Sequence, residues 1–341
     1  MHRMNDSHGL HGGLEDGLEH LHHHVHGPAD PALLGAERGI WAVKISFIAL
    51  FATAIIQVVI VLLTGSMALL ADTVHNLGDA LTAVPLWIAF RLGQRPATDR
   101  FTYGYGRAED LAGLFIVLVI VASGLFTGYE SAMRLFSSRP VGFLWAVILA
   151  SLIGFVGNEA VAVFRMRVGR EIGSAALVAD GHHARADGLT SLAVLFGAIG
   201  VWAGYTWADP LVGLLITIAI LQIGWKSGRV ILTRLTDGVD PEVAGEVRNA
   251  AARAPGVEEV AGVRVRWLGH RLHAEIDVIV DPKLTVEEGH DIAKEVSHQL
   301  LISLPYLSNA TVHVDPPQAP GEAYHRVENH RHDDLPEHSH R

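Results

Sequence analysis

Cysteine is absent from the 341 residues. That excludes disulfides, thiolate zinc sites, iron–sulfur clusters and cysteine nucleophiles. Charge is sparse as well: Asp, Glu, Lys and Arg make up 18% of the chain, where a soluble domain carries about a quarter. Basic charge is not in excess, since 26 Lys and Arg face 36 Asp and Glu for a formal −10. This is the wrong sign for a nucleic-acid partner, whose footprint is a basic patch. The first 39 residues hold no basic start followed by an apolar run, so no secretory signal is expected.

Apolar residues fill what charge leaves. They are 50% of the chain, and the mean hydropathy is +0.29. A bilayer span needs about 20 mostly apolar residues. Six stretches meet that need: Trp41–Leu63, Ser66–Phe90, Leu111–Phe126 with its flanks, Phe143–Phe164, Ser174–Gly200 and Leu211–Leu232. Thr64-Gly65 leaves almost no loop between the first two, which predicts a hairpin. Arginines and lysines gather after spans two, four and six (Arg91, Arg95, Arg100 and Arg107; Arg165, Arg167 and Arg170; Lys226, Arg229 and Arg234). The opposite loops carry only Arg134 and Arg139, so the positive-inside rule puts both termini in the cytoplasm.

Histidine is the abundant polar residue, with 21 copies, eight in the first 26 residues and five in the last 17. Neither end has apolar periodicity, and both read as disordered His-rich tails, residues 1–38 and 317–341. Weak metal buffering is expected of them, with His22-His23-His24-Val25-His26 the best candidate. Between the tails, residues 39–233 read as a six-helix membrane bundle and 234–316 as a small α+β domain. In that domain Asp240-Pro241 predicts a helix start. Val263, Val265 and Trp267 alternate as in a half-buried strand, and Leu272 to Val280 do the same. Thr285 to Glu288 form a capping box, and Asn309–Val314 reads as a third strand, giving the order αββαβ.

Ionisable residues inside a span default to a functional reading. Span two holds Asp72, His75 and Asp79, and span five holds Asp180, His182, His183 and Asp187. His75 and Asp79, like His183 and Asp187, stand four apart, about 6 Å of helical rise, so each pair shares a face. Two such faces offer two imidazoles and two carboxylates, a tetrahedral set suited to Zn²⁺ and tolerable for Fe²⁺, Co²⁺, Cd²⁺ or Mn²⁺. No lysine or arginine is taken to compete at that depth, which favours metal over ion-pair glue. Asp72 and Asp180, one to two turns away, and Asn76 and Thr190, beside the ligands, are candidates for supporting hydrogen bonds. His270 and His298 read as plain surface residues.

The stretches Ala-Asp72-Thr-Val-His75-Asn-Leu-Gly-Asp79 and Ala-Asp180-Gly-His-His183-Ala-Arg-Ala-Asp187 resemble the paired signatures of the cation diffusion facilitator family. Tyr103 to Glu109, Asp209-Pro210-Leu-Val-Gly213, Val280-Asp281-Pro282 with Glu288-Gly289-His290, and Val312 to Pro316 resemble it too. The resemblance implies a homodimeric exporter of divalent metal in the cell (inner) membrane, working by proton exchange, with a metallochaperone-like cytoplasmic domain. Its transport site falls on His75, Asp79, His183 and Asp187, and histidine in both spans resembles the zinc-preferring members. The metal is then the transported substrate, and neither a cofactor nor an enzymatic activity is expected. Cytoplasmic-domain metal ligands fall on His290, His313 and Asp315, with Asp277 where some relatives have His. A domain-locking pair of the dimer falls on Arg107 and Asp237. Thr98, Phe101 and Tyr105 stand at a second metal site of some members, and no metal is expected there. A membrane metal sensor that does not transport remains the alternative from another class, and a metalloenzyme lacks a motif such as His-Glu-x-x-His.

Overall fold

The computed structural model describes residues 31–64, 82–136, 144–205 and 207–318. Its elements are helices α1 (Pro31–Thr64), α2 (Ala83–Gly93), α3 (Arg107–Phe136), α4 (Leu144–Glu171), α5 (Ala175–Trp202) and α6 (Ala208–Leu235). They are followed by α7 (Pro241–Ala251), β1 (Glu259–Leu268), β2 (Arg271–Ile279), α8 (Val286–Ser303) and β3 (Leu307–Asp315).

Among the described residues five helices are long and apolar enough to cross a membrane: Leu33–Ile60, Arg107–Phe136, Trp145–Glu171, Ala175–Trp202 and Ala208–Leu235. At 1.5 Å per residue each reaches about 40 Å, more than the hydrocarbon core of a bilayer. Their outward residues are apolar, among them Ile48, Leu118, Phe126 and Trp225. Water would penalise that surface and lipid does not. Of the predicted second span only α2, its far end, is described. Residues 65–81, which hold Asp72, His75, Asp79 and Asn76, lie outside the described residues, as do both His-rich tails.

Two helices outrun their apolar cores. α1 begins at Pro31, ten residues before the span predicted from Trp41, because its first turns pack on protein rather than lipid. A Cβ on Gly39 would stand 2.6 Å from the Phe90 ring, and Arg38 reaches Glu171 at 3.1 Å. α3 runs on to Phe136, where Arg134 binds Glu130 at 2.9 Å and Asp209 at 3.1 Å. Charged residues that mark a span's end in sequence here extend the helix through ion pairs.

The C-terminal domain has the expected αββαβ order. Asp240 caps α7, accepting from the Glu242 amide, and Thr285 and Glu288 close a capping box on α8. β1 and β2 are antiparallel, and β2 and β3 are parallel across the α8 connection, in sheet order β1-β2-β3. Leu272, Ala274, Ile276 and Val278 of the central strand bury against Val247 and Ala250 of α7 and Val296 and Leu300 of α8. Both helices therefore cover one face, and His273, Glu275 and Asp277 line the other.

Candidate functional site

The N-terminal half of α5 is built of small residues. Ser174 caps it, accepting from the Leu177 amide at 3.0 Å. Ala175, Ala176, Ala179, Gly181, Ala184, Ala186 and Gly188 are buried, and a Cβ on Gly181 would meet Met166 at 2.6 Å and the Ala162 carbonyl at 3.0 Å. Small residues let membrane helices approach closely. That approach presses the polar side chains of α5 into the bundle. His183 and Asp187 are 1% and 4% exposed, and their Nδ1 and Oδ1 stand 3.6 Å apart. The one-turn spacing therefore puts an imidazole and a carboxylate side by side in the buried interior. His75 and Asp79 are not described. Among the described residues no group of three or more His, Asp or Glu is placed to hold a metal.

The absence of basic groups at this depth is corrected. Arg165 of α4 is 1% exposed, and its Nη1 lies 2.9 Å from Oδ2 of Asp180, itself fully buried. Asp180 thus opposes a guanidinium from the neighbouring helix. Arg185, which lies inside the predicted fifth span, forks onto Glu159 of α4, with Nε to Oε2 at 3.1 Å. Arg165 was placed in the loop after span four because the apolar run stops at Phe164, while the helix continues to Glu171. Arg185 was legible in the span itself. Thr190 donates to the Ala186 carbonyl of its own helix at 3.1 Å, and His182 Nδ1 meets Ser227 Oγ of α6 at 2.7 Å.

In the C-terminal domain Asp277 is the register partner of His313 across the parallel pair, and His313 Nε2 reaches Asp315 Oδ1 at 2.9 Å. His290 is exposed on α8. In the loop before α3, the Phe101 and Tyr105 rings lie tilted against each other at 4.8 Å and Thr98 Oγ1 accepts from the Phe101 amide. Arg107 and Asp237, 130 positions apart, form an ion pair within the chain, and Arg107 also donates to the Arg234 carbonyl at 2.8 Å.

That pair is the edge of a larger junction which sequence reasoning missed. The β1–β2 turn, Gly269-His270, inserts beside the first turn of α3. His270 is 5% exposed, not a surface residue: its Nδ1 meets Glu109 Oε2 at 2.7 Å, and its ring tilts against Phe90 at 5.9 Å. Glu109 also accepts from Ser174 Oγ at 2.5 Å. The Gly269 amide donates to Asp110 at 3.0 Å. Arg234 donates to the carbonyls of Gly173 and Gly269 and lies 4.2 Å over the Trp267 ring. His298, by contrast, is exposed on α8 as expected.

Residues 43–235 match the family described as cation efflux transmembrane domain, and residues 239–317 match the cytoplasmic domain of cation efflux proteins. A probable cation efflux system protein of Mycobacterium tuberculosis is 52% identical over 86% of this chain and 89% of its own length. A manganese efflux system protein of Bacillus subtilis is 25% identical, over 77% and 91%. A solved MamM cytoplasmic-domain variant in a copper form is 29% identical over 22% of this chain and 94% of its own, at a TM-score of 0.22. The chain belongs to the cation diffusion facilitator, or cation efflux, family of multi-pass divalent-metal transporters.

Proposed function

We propose that the protein exports a divalent cation from the cytosol in exchange for protons, with Zn²⁺ as the first substrate and His75, Asp79, His183 and Asp187 as the transport site. The observation that supports this most is the buried His183–Asp187 pair, one turn apart in a membrane helix. Neutral imidazole and ionised carboxylate are metal ligands, and both lose the metal when protonated. A site that alternately faces cytosol and outside can therefore trade metal for protons at the same atoms. Two imidazoles suit zinc better than the hard cations. The manganese efflux relative supports Mn²⁺ as a second reading. Asp72, Asn76, Asp180 and Thr190 support the ligands in this reading, and Asp180 does so while held by Arg165.

The active form is a homodimer in the cell membrane with both termini cytoplasmic, in line with the arginine-rich loops and the match to the family's cytoplasmic domain. The bundle spans residues 39–233 and the regulatory domain 234–316. Asp277, His313, Asp315 and His290 of α8 do not come together within one chain as a metal-holding group, so no metal is assigned to that domain, and Arg107–Asp237 locks the two parts.

Metal uptake into proteoliposomes under a pH gradient tests the reading. Wild type is expected to move Zn²⁺, and Asp79→Ala and Asp187→Ala to abolish it. Wild-type rates in both variants would remove the site assignment, and no flux of any divalent metal with wild type would favour a sensor. His75→Asp is expected to shift preference from Zn²⁺ toward Fe²⁺ and Mn²⁺; unchanged relative rates would refute the selectivity argument.

A further inference from the structure

A second feature of the bundle has the opposite charge to the metal site. Between the end of α4, the start of α5 and the last third of α6 opens a cleft of about 350 Å³. Val178, Ala179 and Val230 give it an apolar wall, while Arg170, Lys226 and Arg234 give it positive charge. Among the described residues no carboxylate lines it. His182 and Ser227 line it as well, and the three cations give the cleft a sign that favours an anion.

The three cations are not equivalent. Arg234 is committed to the junction, where carbonyls and the Trp267 ring hold it beside Glu109 and Asp110. Arg170 and Lys226 are exposed, and among the described residues neither side chain forms an ion pair. Lys226 lies nine residues before the end of α6, about 13 Å into the helix. Its exposed ammonium finds no carboxylate in the cleft, so an anion from the surroundings is the partner that suits it. The surface around it faces lipid: Val230 is 51% and Trp225 76% exposed.

We propose that this cleft binds the phosphate of an anionic phospholipid, held between Arg170 and Lys226, with acyl chain laid along Val178, Ala179 and Val230. Soluble phosphate shares the headgroup chemistry but has no use for the apolar wall. The inference does not depend on which metal is carried; only the leaflet, the inner one, follows from the orientation proposed above.

The test is native mass spectrometry of the full chain released from mixed micelles of phosphatidylcholine and phosphatidylglycerol. Wild type is expected to retain phosphatidylglycerol selectively. Loss of affinity should be about fivefold for Arg170→Gln or Lys226→Gln alone and about 25-fold for both together. Lys226→Arg should keep the adduct. So should Arg167→Gln, which removes a nearby α4 cation that is paired with Glu171 and does not line the cleft. Matching thermal midpoints for all variants show that the fold is intact. Equal retention by the double variant overturns the proposal, and would follow if a second copy of the chain covered the cleft. Displacement of the lipid by excess inorganic phosphate would assign the cleft to a soluble anion and overturn the lipid reading.

Discussion

His270→Ala should uncouple the cytoplasmic domain from the membrane bundle. The wild-type imidazole is 5% exposed and bonded at 2.7 Å to Glu109, a carboxylate that is itself 4% exposed. A hydrogen bond to a charged group contributes about 1.5–3 kcal/mol, and a buried acceptor left without its partner adds to the loss. Ser174 Oγ still serves the other Glu109 oxygen, and the lost ring also packs on Phe90 and against Gly35. These effects together come to about 3 kcal/mol. At about 2–4 °C per kcal/mol for a domain of this size, the thermal midpoint of the detergent-solubilised protein should fall by roughly 6–12 °C. The segment around Asp237, which the same junction holds through Arg107, should become open to protease. His270→Asn, whose amide nitrogen stands close to where Nδ1 was, should recover part of the loss. A double-mutant cycle with Glu109→Ala should give a coupling of about 1.5–3 kcal/mol. If the two substitutions add independently, or His270→Ala leaves the midpoint unmoved, the junction does not hold the domains and the reasoning fails.

Gly106→Ala tests the same junction sterically. Its Cβ would fall 2.6 Å from the Leu268 carbonyl oxygen, a backbone atom that cannot swing away, so destabilisation of about 1–3 kcal/mol is expected in thermal melts; a neutral effect would show that α3 and the β1–β2 turn are not in contact. Thr285→Ala removes the hydroxyl half of the α8 capping box and leaves the backbone N–H that donates to Glu288, and should cost about 1 kcal/mol in denaturant titration, with no loss counting against the assigned helix start. His273 should titrate below the usual histidine range, because burial and then Arg266 and Arg271 disfavour its charged form. The unfolded chain then binds a proton at higher pH than the native one does. Stability should therefore decrease as pH falls from about 6.5 toward the depressed native value. NMR titration of the His273 ring that gave an ordinary or raised value would refute this.

The membrane bundle and the small domain were legible for different reasons. Long apolar runs announce spans because lipid tolerates no unpaired backbone, so only helices satisfy the chain. The αββαβ order was legible because the Asp240 cap, the Thr285–Glu288 box and the alternation of β2 each act within a few residues. Helix lengths were not. Arg38, Arg134 and Arg165 stop an apolar run, yet the helices continue through them because Glu171, Asp209 and Asp180 on other helices pair with them. His270 read as a plain surface residue, and it lies in a connection between strands, where side chains usually face water. Its partner Glu109 lies 161 positions away, and no local pattern links the two.

By itself the sequence determined the class of chemistry. Without cysteine no thiolate can hold a metal, and histidine four residues from aspartate on a membrane helix puts both side chains on one face whatever surrounds them. Helical period alone fixes that. Tertiary structure decided which charges stand alone and which are paired. It gave Asp180 to Arg165 and Glu159 to Arg185, buried His270 against Glu109, and left Arg170 and Lys226 at an acid-free cleft. Pairing depends on which helices touch, and contact is set by side-chain packing across the bundle rather than by any spacing along the chain.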